Sequence, residues 1–112
     1  IATGSEVQLA VAAREQLAGE GIHARVVSVP CLEWFYEQPA AYQESVLPAA
    51  VKARVSIEAG LSLTWDKIVG STGRSVSIEH FGASADYKTL FTKFGITTDA
   101  AVAAAKESLA AQ

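Results

Sequence analysis

A short β-branched run at 24–29 follows a long helix-like segment and ends at Pro30. The change from a helical period to consecutive apolar residues is typical of a helix that leads into a buried strand. The same succession recurs along the chain, and strands that alternate with helices favour a parallel sheet covered on both faces. The sequence therefore predicts an α/β fold. We expect a three-layer αβα sandwich with a mostly parallel (mixed) five-stranded sheet, whose first strand is truncated at Ile1.

The element predictions rest on periodicity and on stop signals. Strands are expected at the N-terminus and over 24–29, 53–57, 65–70 and 75–78. Helices are expected over 6–20, 32–36, 40–47 and 87–94, and from 98 onward, with stops at Gly21, Pro39, Pro48 and Gly95. Thr98 is predicted to cap the last helix, whose inner stripe would be Val102, Ala105 and Leu109.

Composition indicates one folded domain, 1–112. Half of the 112 residues are apolar, which is too many for a disordered chain. A net charge of −3 with scattered Lys and Arg argues against a nucleic-acid surface, and no apolar run approaches the roughly 18 residues of a membrane span. The single cysteine, Cys31, fits a reducing compartment. Because methionine is absent and the chain opens inside a strand, we expect a domain of a longer polypeptide.

The carboxyl ends of the predicted strands are the first place to look for a ligand, because open parallel sheets bind ligands there. Gly4 and Ser5 lie at one such corner, at the start of a helix. Free backbone N–H groups at a helix start can hold an anion, so these residues form a weak candidate anion site. The carboxylate of Glu6 beside them would repel an anion, and a Gly-Ser turn also serves simply to begin a helix.

Two further corners carry candidate structural or interface residues. Glu58 ends an apolar strand, and a buried carboxylate there needs a partner. We expect that partner to be an arginine or a backbone amine, inside the domain or across an interface. His80, Phe81 and Gly82 lie at the corner after the last predicted strand and form the second candidate group.

Motifs for independent chemistry are incomplete in this chain. The segment 82–86, Gly-Ala-Ser-Ala-Asp, approaches a nucleophile elbow, with His80 nearby, but it lacks the second glycine. Helix capping by Ser84 is the preferred interpretation, and a hydrolase that uses Ser84 and His80 is a remote alternative. Histidines at 23 and 80 and the cysteine at 31 do not have the spacing of a zinc site.

Ordered sequence blocks extend over nearly the whole chain. They are Ala-Thr-Gly-Ser-Glu-Val at 2–7, Arg-Val-Val-Ser-Val-Pro at 25–30, Ser-Val-Leu-Pro at 45–48, Ile-Glu-Ala-Gly at 57–60, Trp65 with Val-Gly at 69–70, Phe-Gly-Ala-Ser-Ala at 81–85 and Phe-Gly-Ile-Thr at 94–97. In order and spacing, these blocks resemble the C-terminal domain of transketolase.

The resemblance implies a cytoplasmic, three-domain, homodimeric transferase of the pentose phosphate pathway. Such an enzyme moves a two-carbon ketol unit from a ketose phosphate to an aldose phosphate with thiamine diphosphate and Mg²⁺ (or Ca²⁺). The family holds these groups in the preceding domains, through a Gly-Asp-Gly followed by an asparagine. This chain contains neither Gly-Asp-Gly nor asparagine.

We therefore assign no catalytic, cofactor-binding or metal residue to this chain and expect it to be inactive alone. Its expected role is structural and dimer-supporting. Its expected partners are the preceding domains and the homodimer partner, with no nucleic acid and no membrane. The alternative is an α/β domain of a related thiamine-dependent enzyme that binds a small anion or a regulatory ligand near Gly4, Glu58 and Gly82.

Overall fold

The computed structural model describes residues 1–58, 65–77 and 95–112. After a 3₁₀ turn at Gly4–Glu6, the helices are α1 (Val7–Ala18), α2 (Leu32–Glu37), α3 (Ala40–Val46), α4 (Asp66–Val69) and α5 (Thr98–Ala110). The strands are β1 (Val55–Ile57) and β2 (Arg74–Val76). The helix predicted over 87–94 lies outside the described residues. The predicted helices that the structure describes are confirmed, and two of the predicted strands contain β1 and β2.

The sheet is parallel throughout the described part of the chain. β1 pairs with β2, with Val55 opposite Arg74 and Ile57 opposite Val76. Ala2 forms parallel bridges to Ser28 on one side and to Ile57 on the other. The order across the sheet is therefore the segment around Ser28, the N-terminal residues, β1 and β2.

The strand predicted over 65–70 is wrong, because Asp66–Val69 is helix α4. Ile68 and Val69 are adjacent in sequence and both buried. Successive side chains of a strand point to opposite faces, whereas a helical turn can bury neighbours against one core. The turn ends at Gly70, whose φ of +71° favours glycine. Of the other four predicted strand segments, 53–57 and 75–78 contain β1 and β2, which form a two-stranded sheet, whereas the N-terminus and 24–29 pair only through the isolated bridges of Ala2 and Ser28.

Side chains of the strands alternate between two apolar clusters, so helices lie on both faces of the sheet. Ala2, Ile57 and Val76 pack with buried residues of α1 and α5. On the opposite face, Val29 packs with Trp65 and with the buried residues of α4, and half-buried residues of α2 join them. This arrangement agrees with the layered α/β fold expected from the sequence.

The N-cap of the last helix lies one residue earlier than predicted. Thr97, not Thr98, is the N-cap, and its Oγ1 accepts a hydrogen bond from the Ala100 N–H at 3.1 Å. Val102 is buried as predicted, but Leu109 is 44% exposed. Ser108 is fully buried instead, because its hydroxyl donates to the Thr72 carbonyl at 2.7 Å. A satisfied hydroxyl can face the core, and an apolar pattern does not reveal it.

Arg54 connects the segments that lead into β1. Its Nε donates to the Val51 carbonyl at 2.9 Å and its Nη1 to the Ile68 carbonyl at 2.7 Å. Its Nη2 donates to the carbonyls of Leu47 at 3.2 Å and Pro48 at 2.8 Å. One guanidinium therefore holds the residues after α3 against the end of α4.

Candidate functional site

The parallel sheet brings two of the predicted corners to one edge. Gly4 follows the N-terminal strand residue Ala2, and Glu58 follows β1 directly. The Glu58 N–H donates to the Val76 carbonyl at 3.1 Å, which continues the β1–β2 ladder past the end of β1. Because the strands run in the same direction, both corners lie at the carboxyl edge of the sheet, where ligands of such sheets bind.

The carboxylate of Glu58 has an aromatic hydrogen-bond partner. The indole Nε1 of Trp65 donates to Oε2 of Glu58. Trp65 is 2% exposed, and Glu58 is half-buried. A partner was expected, but the donor is an indole rather than an arginine or a backbone amine. The sequence held the signal, because a buried tryptophan usually needs an acceptor for its N–H.

The predicted anion site at Gly4 lies next to a buried carboxylate. Gly4 is exposed with a φ of +60°, and Ser5 follows it in the 3₁₀ turn. Glu6 is only 7% exposed, and a Cβ built on Gly4 would lie 3.7 Å from its Oε2. The anion site at Gly4 and Ser5 therefore stays a prediction.

The remaining candidates at this edge lie outside the described residues. They are His80, Phe81 and Gly82, together with Ser84 of the approximate nucleophile elbow. Their predicted roles therefore stay predictions. Among the described residues, no group of three or more His, Cys, Asp or Glu side chains is arranged to hold a metal ion. None of the helices in the described part of the chain is long and apolar enough to cross a membrane.

A basic cavity of about 600 Å³ lies near the segments that lead into the strands. Lys52, Lys67, Tyr36 and the turn at 70–72 contribute to its lining. The Lys67 Nζ lies 4.6 Å from the centroid of the Tyr36 ring, and burial raises the pKa of Tyr36. Arg54 also lines this cavity, but its guanidinium is directed to backbone carbonyls. Sequence reasoning did not single out Arg54, because carbonyl acceptors leave no pattern in side-chain types.

Comparison with known proteins places these observations in a family context. Residues 1–97 match the family described as the transketolase-like TK C-terminal domain. A transketolase of Mycobacterium leprae is 61% identical over 109 residues, which cover 97% of this chain and 16% of that relative. Transketolase 1 of Escherichia coli is 57% identical over 109 residues, with the same coverage of 97% and 16%.

Solved structures give the same result. The transketolase of Leishmania mexicana superposes with a TM-score of 0.86 at 44% identity, covering 97% of this chain and 16% of that one. A Pichia stipitis transketolase in complex with sedoheptulose-7-phosphate superposes with a TM-score of 0.83 at 38% identity, covering 96% and 16%. The chain therefore spans only 16% of the length of these transketolases.

Proposed function

We propose that this chain, which belongs to the family of transketolase-like C-terminal domains, serves as the structural, dimer-supporting C-terminal domain of a longer transketolase. The observation that carries the proposal is the match over 97% of this chain to only 16% of transketolases such as that of Mycobacterium leprae. The domain would comprise all of 1–112.

The parent enzyme would be a cytoplasmic homodimer of the pentose phosphate pathway. It would transfer a two-carbon ketol unit from a ketose phosphate to an aldose phosphate. Thiamine diphosphate, bound with Mg²⁺ or Ca²⁺, would supply the carbanion chemistry in that enzyme. The preceding domains of the same polypeptide would hold both groups and contact this domain.

The residues that the structure describes do not fit a thiamine diphosphate site. A divalent metal that holds a diphosphate needs several oxygen ligands close together. The described residues contain no such cluster, and at the carboxyl edge the Glu58 carboxylate accepts the Trp65 indole N–H. We therefore derive no step of the reaction from this chain and assign its work to packing.

An exposed aromatic patch supports a packing role. Trp34 of α2 is 68% exposed and Tyr42 of α3 is 51% exposed. The centroid of the Phe35 ring of α2 lies 6.5 Å from that of Tyr42 of α3. Aromatic side chains of this kind often dominate the free energy of protein interfaces. We assign this aromatic patch, Trp34, Phe35 and Tyr42, to contact with the rest of the parent enzyme.

Substitutions in the full-length enzyme test the proposal. Trp34→Ala and Tyr42→Ala should lower the thermal midpoint of the enzyme, or weaken its dimer, while kcat and KM of the folded dimer stay within about twofold. Glu33→Ala, at an exposed neighbour on α2, is the matched control and should change neither property. A loss of kcat beyond about a hundredfold with an intact dimer would point to direct chemistry and contradict the proposal.

A further inference from the structure

The basic cavity of about 600 Å³ lies at the amino edge of the sheet, away from the corners at Gly4 and Glu58. Lys52 and Arg54 line it in the residues that lead into β1, and the turn at 70–72 lines it just before β2. Pockets that hold small molecules have volumes of roughly 300 to 1,000 Å³, so the cavity is large enough for a ligand. Side chains and the turn, and not the carboxyl ends of the strands, would recognise that ligand.

Positive charge dominates the lining of the basic cavity. Lys52, Arg54 and Lys67 contribute three cationic side chains, and none of them pairs with a carboxylate in the described part of the chain. Among the described residues of the lining, Glu44 alone carries a carboxylate, whose two oxygens share the Ala49 N–H at 3.2 and 3.1 Å. Three cations against one carboxylate leave two positive charges unbalanced. A phosphate monoester, which carries nearly two negative charges at neutral pH, matches that excess.

Arg54 supplies the fixed part of this charge. Its guanidinium donates to four backbone carbonyls, which hold the side chain in place. Carbonyl groups are neutral, so the positive charge of Arg54 is positioned but not cancelled. Arg54 is half-buried, and water screens a half-buried charge less than an exposed one. Arg54 therefore attracts an anion in the cavity without having to contact it.

Lys67 is positioned by an aromatic ring. Its Nζ lies 4.6 Å from the centroid of the Tyr36 ring, which is within the range of a cation–π contact. The contact keeps the ammonium group beside the cavity and leaves its N–H donors for an anion. Burial raises the pKa of Tyr36, so its phenol stays protonated and adds no negative charge. The pair therefore presents a positioned cation next to a neutral aromatic surface.

The turn before β2 adds backbone donors to the same cavity. The Gly73 N–H donates to the Gly70 carbonyl at 3.3 Å, and the Thr72 hydroxyl donates to the Lys52 carbonyl at 3.3 Å. These two bonds hold the turn beside Lys52. In the described part of the chain, the N–H groups of Ser71 and Thr72 have no acceptor. Free N–H groups of a turn can bind phosphate oxygens, so the turn supports the same ligand as the lysines.

We propose that the basic cavity binds a small organic phosphate monoester, with Lys52 and Lys67 on its phosphate group. The carbon body of the ester lies against the apolar part of the lining, which includes Tyr36 and Leu47. An ester is favoured over inorganic phosphate because the cavity is much larger than a phosphate ion. The inference goes beyond the proposed function and does not depend on it, since all of its contacts lie within this chain.

Acetylation by acetic anhydride measures the occupancy of the cavity at each lysine separately, with peptide mass spectrometry as the readout. It is applied to the complete polypeptide that contains this chain, because phosphate sites elsewhere do not affect the rates at these lysines. Glycerol phosphate at about 10 mM, tenfold above a Kd of about 1 mM, should slow acetylation of Lys52 and Lys67 by about fivefold or more. Lys106, which pairs with Glu20, is the internal control and should keep its rate. Glycerol without phosphate should protect neither cavity lysine.

Substitutions show whether one ligand contacts both lysines. Lys67→Gln should abolish the protection of Lys52, whereas Lys67→Arg should keep it because the charge remains. Lys106→Gln removes the same charge outside the cavity and should leave the protection of Lys52 unchanged. Glu44→Gln should strengthen the protection at low glycerol phosphate, because it removes the opposing charge and keeps an oxygen for the Ala49 N–H.

Unchanged acetylation rates at Lys52 and Lys67 in glycerol phosphate would overturn the proposal. Protection of Lys52 that survives Lys67→Gln would also overturn it, since the two lysines would then not share a ligand. Equal protection by inorganic phosphate at the same concentration would overturn the assignment to an ester and leave the free anion as the ligand. The measurement reads neither kcat nor dimer stability, so the cavity inference can fail while the proposed function stands, and the converse also holds.

Discussion

The indole Nε1 of Trp65 donates a hydrogen bond to Oε2 of Glu58, which joins the residue after β1 to the residue before α4. Trp65 is 2% exposed, so water cannot easily replace the carboxylate. The pair therefore fixes the start of α4 next to the end of β1. Its disruption should therefore lower the free energy of unfolding.

Glu58→Ala should destabilise the chain more than Glu58→Gln does. Alanine leaves a buried indole N–H without an acceptor, which costs about 1 to 3 kcal/mol. Glutamine keeps a carbonyl oxygen at the same place, so we expect a loss below about 1 kcal/mol. Urea unfolding of both variants measures the difference. Equal losses for the two variants would show that the hydrogen bond contributes little.

Gly73→Ala should be the most damaging glycine substitution among those in the described turns. A Cβ at Gly73 would lie 2.2 Å from the Val69 carbonyl oxygen and 2.5 Å from the Val69 Cβ. Relieving such an overlap requires a backbone shift that costs about 3 kcal/mol or more.

Gly21→Ala is the control for this prediction. Gly21 has a φ of +81°, and a Cβ there would meet nothing within 4 Å. The strain of a left-handed alanine alone costs about 1 to 2 kcal/mol. In thermal unfolding, the Gly73→Ala variant should have a much lower Tm than the Gly21→Ala variant. The reverse order would mean that the turn at 70–73 relaxes freely.

Arg54→Met should cost at least about 3 kcal/mol, because hydrogen bonds to a charged group contribute about 1.5 to 3 kcal/mol each and several are lost together. The carbonyls of Leu47, Pro48, Val51 and Ile68 would all lose the guanidinium, although that of Pro48 keeps the Val51 N–H as a donor. Lys52→Met removes the same charge from an exposed neighbour and should change the free energy of unfolding by less than about 0.5 kcal/mol. If the two substitutions lower the free energy of unfolding equally, Arg54 contributes through its charge and not through its hydrogen bonds.

The stability of the 112-residue chain should rise between pH 6 and pH 8. Burial lowers the pKa of the Ile1 amine from 8.0 to about 6. In this interval the unfolded chain binds more protons at the amine than the folded chain does, so the free energy of unfolding increases with pH. The gain is at most about 3 kcal/mol, at 1.36 kcal/mol for each pKa unit.

Acetylation of Ile1 is the control for the pH prediction. It removes the titrating amine, so the free energy of unfolding should no longer increase between pH 6 and pH 8 because of this group. Chemical denaturation at several pH values follows both forms. A rise of the same size after acetylation would assign the effect to other groups.

Thr97→Ala should destabilise α5 by about 1 kcal/mol, because the Thr97 hydroxyl caps the first turn of the helix. Thr98→Ala, one residue later, should cost less, since that position is inside the helix. Helix content by circular dichroism and the thermal midpoint provide the comparison. A larger effect at Thr98 would contradict the observed cap.

Most element positions follow from proline and glycine residues that end helices and can be recognised in the sequence. Pro39 and Pro48 mark the ends of α2 and α3, and Gly21 adopts the left-handed conformation that ends the α1 segment. These residues act through local backbone geometry, so their effects do not depend on the rest of the fold. The parallel pairing also followed, because helices separate the strands.

The errors occur where tertiary contacts override local pattern. Ile68 and Val69 suggested a strand, but both pack on one cluster from a helical turn. Ser108 is buried because a distant carbonyl satisfies its hydroxyl. At the candidate site, the need of Glu58 for a partner was predictable, whereas the identity of that partner required Trp65 to be placed in three dimensions.

The four carbonyl contacts of Arg54 have a consequence for how the domain yields under stress. When the residues after α3 or the end of α4 move away, the guanidinium that both segments share loses part of its acceptors, so release of one segment weakens the hold on the other. The two helices should therefore open as one subglobal unit, although 19 residues separate the end of α3 from the start of α4. We therefore expect a protease to cleave α3 only in molecules in which α4 has also unfolded.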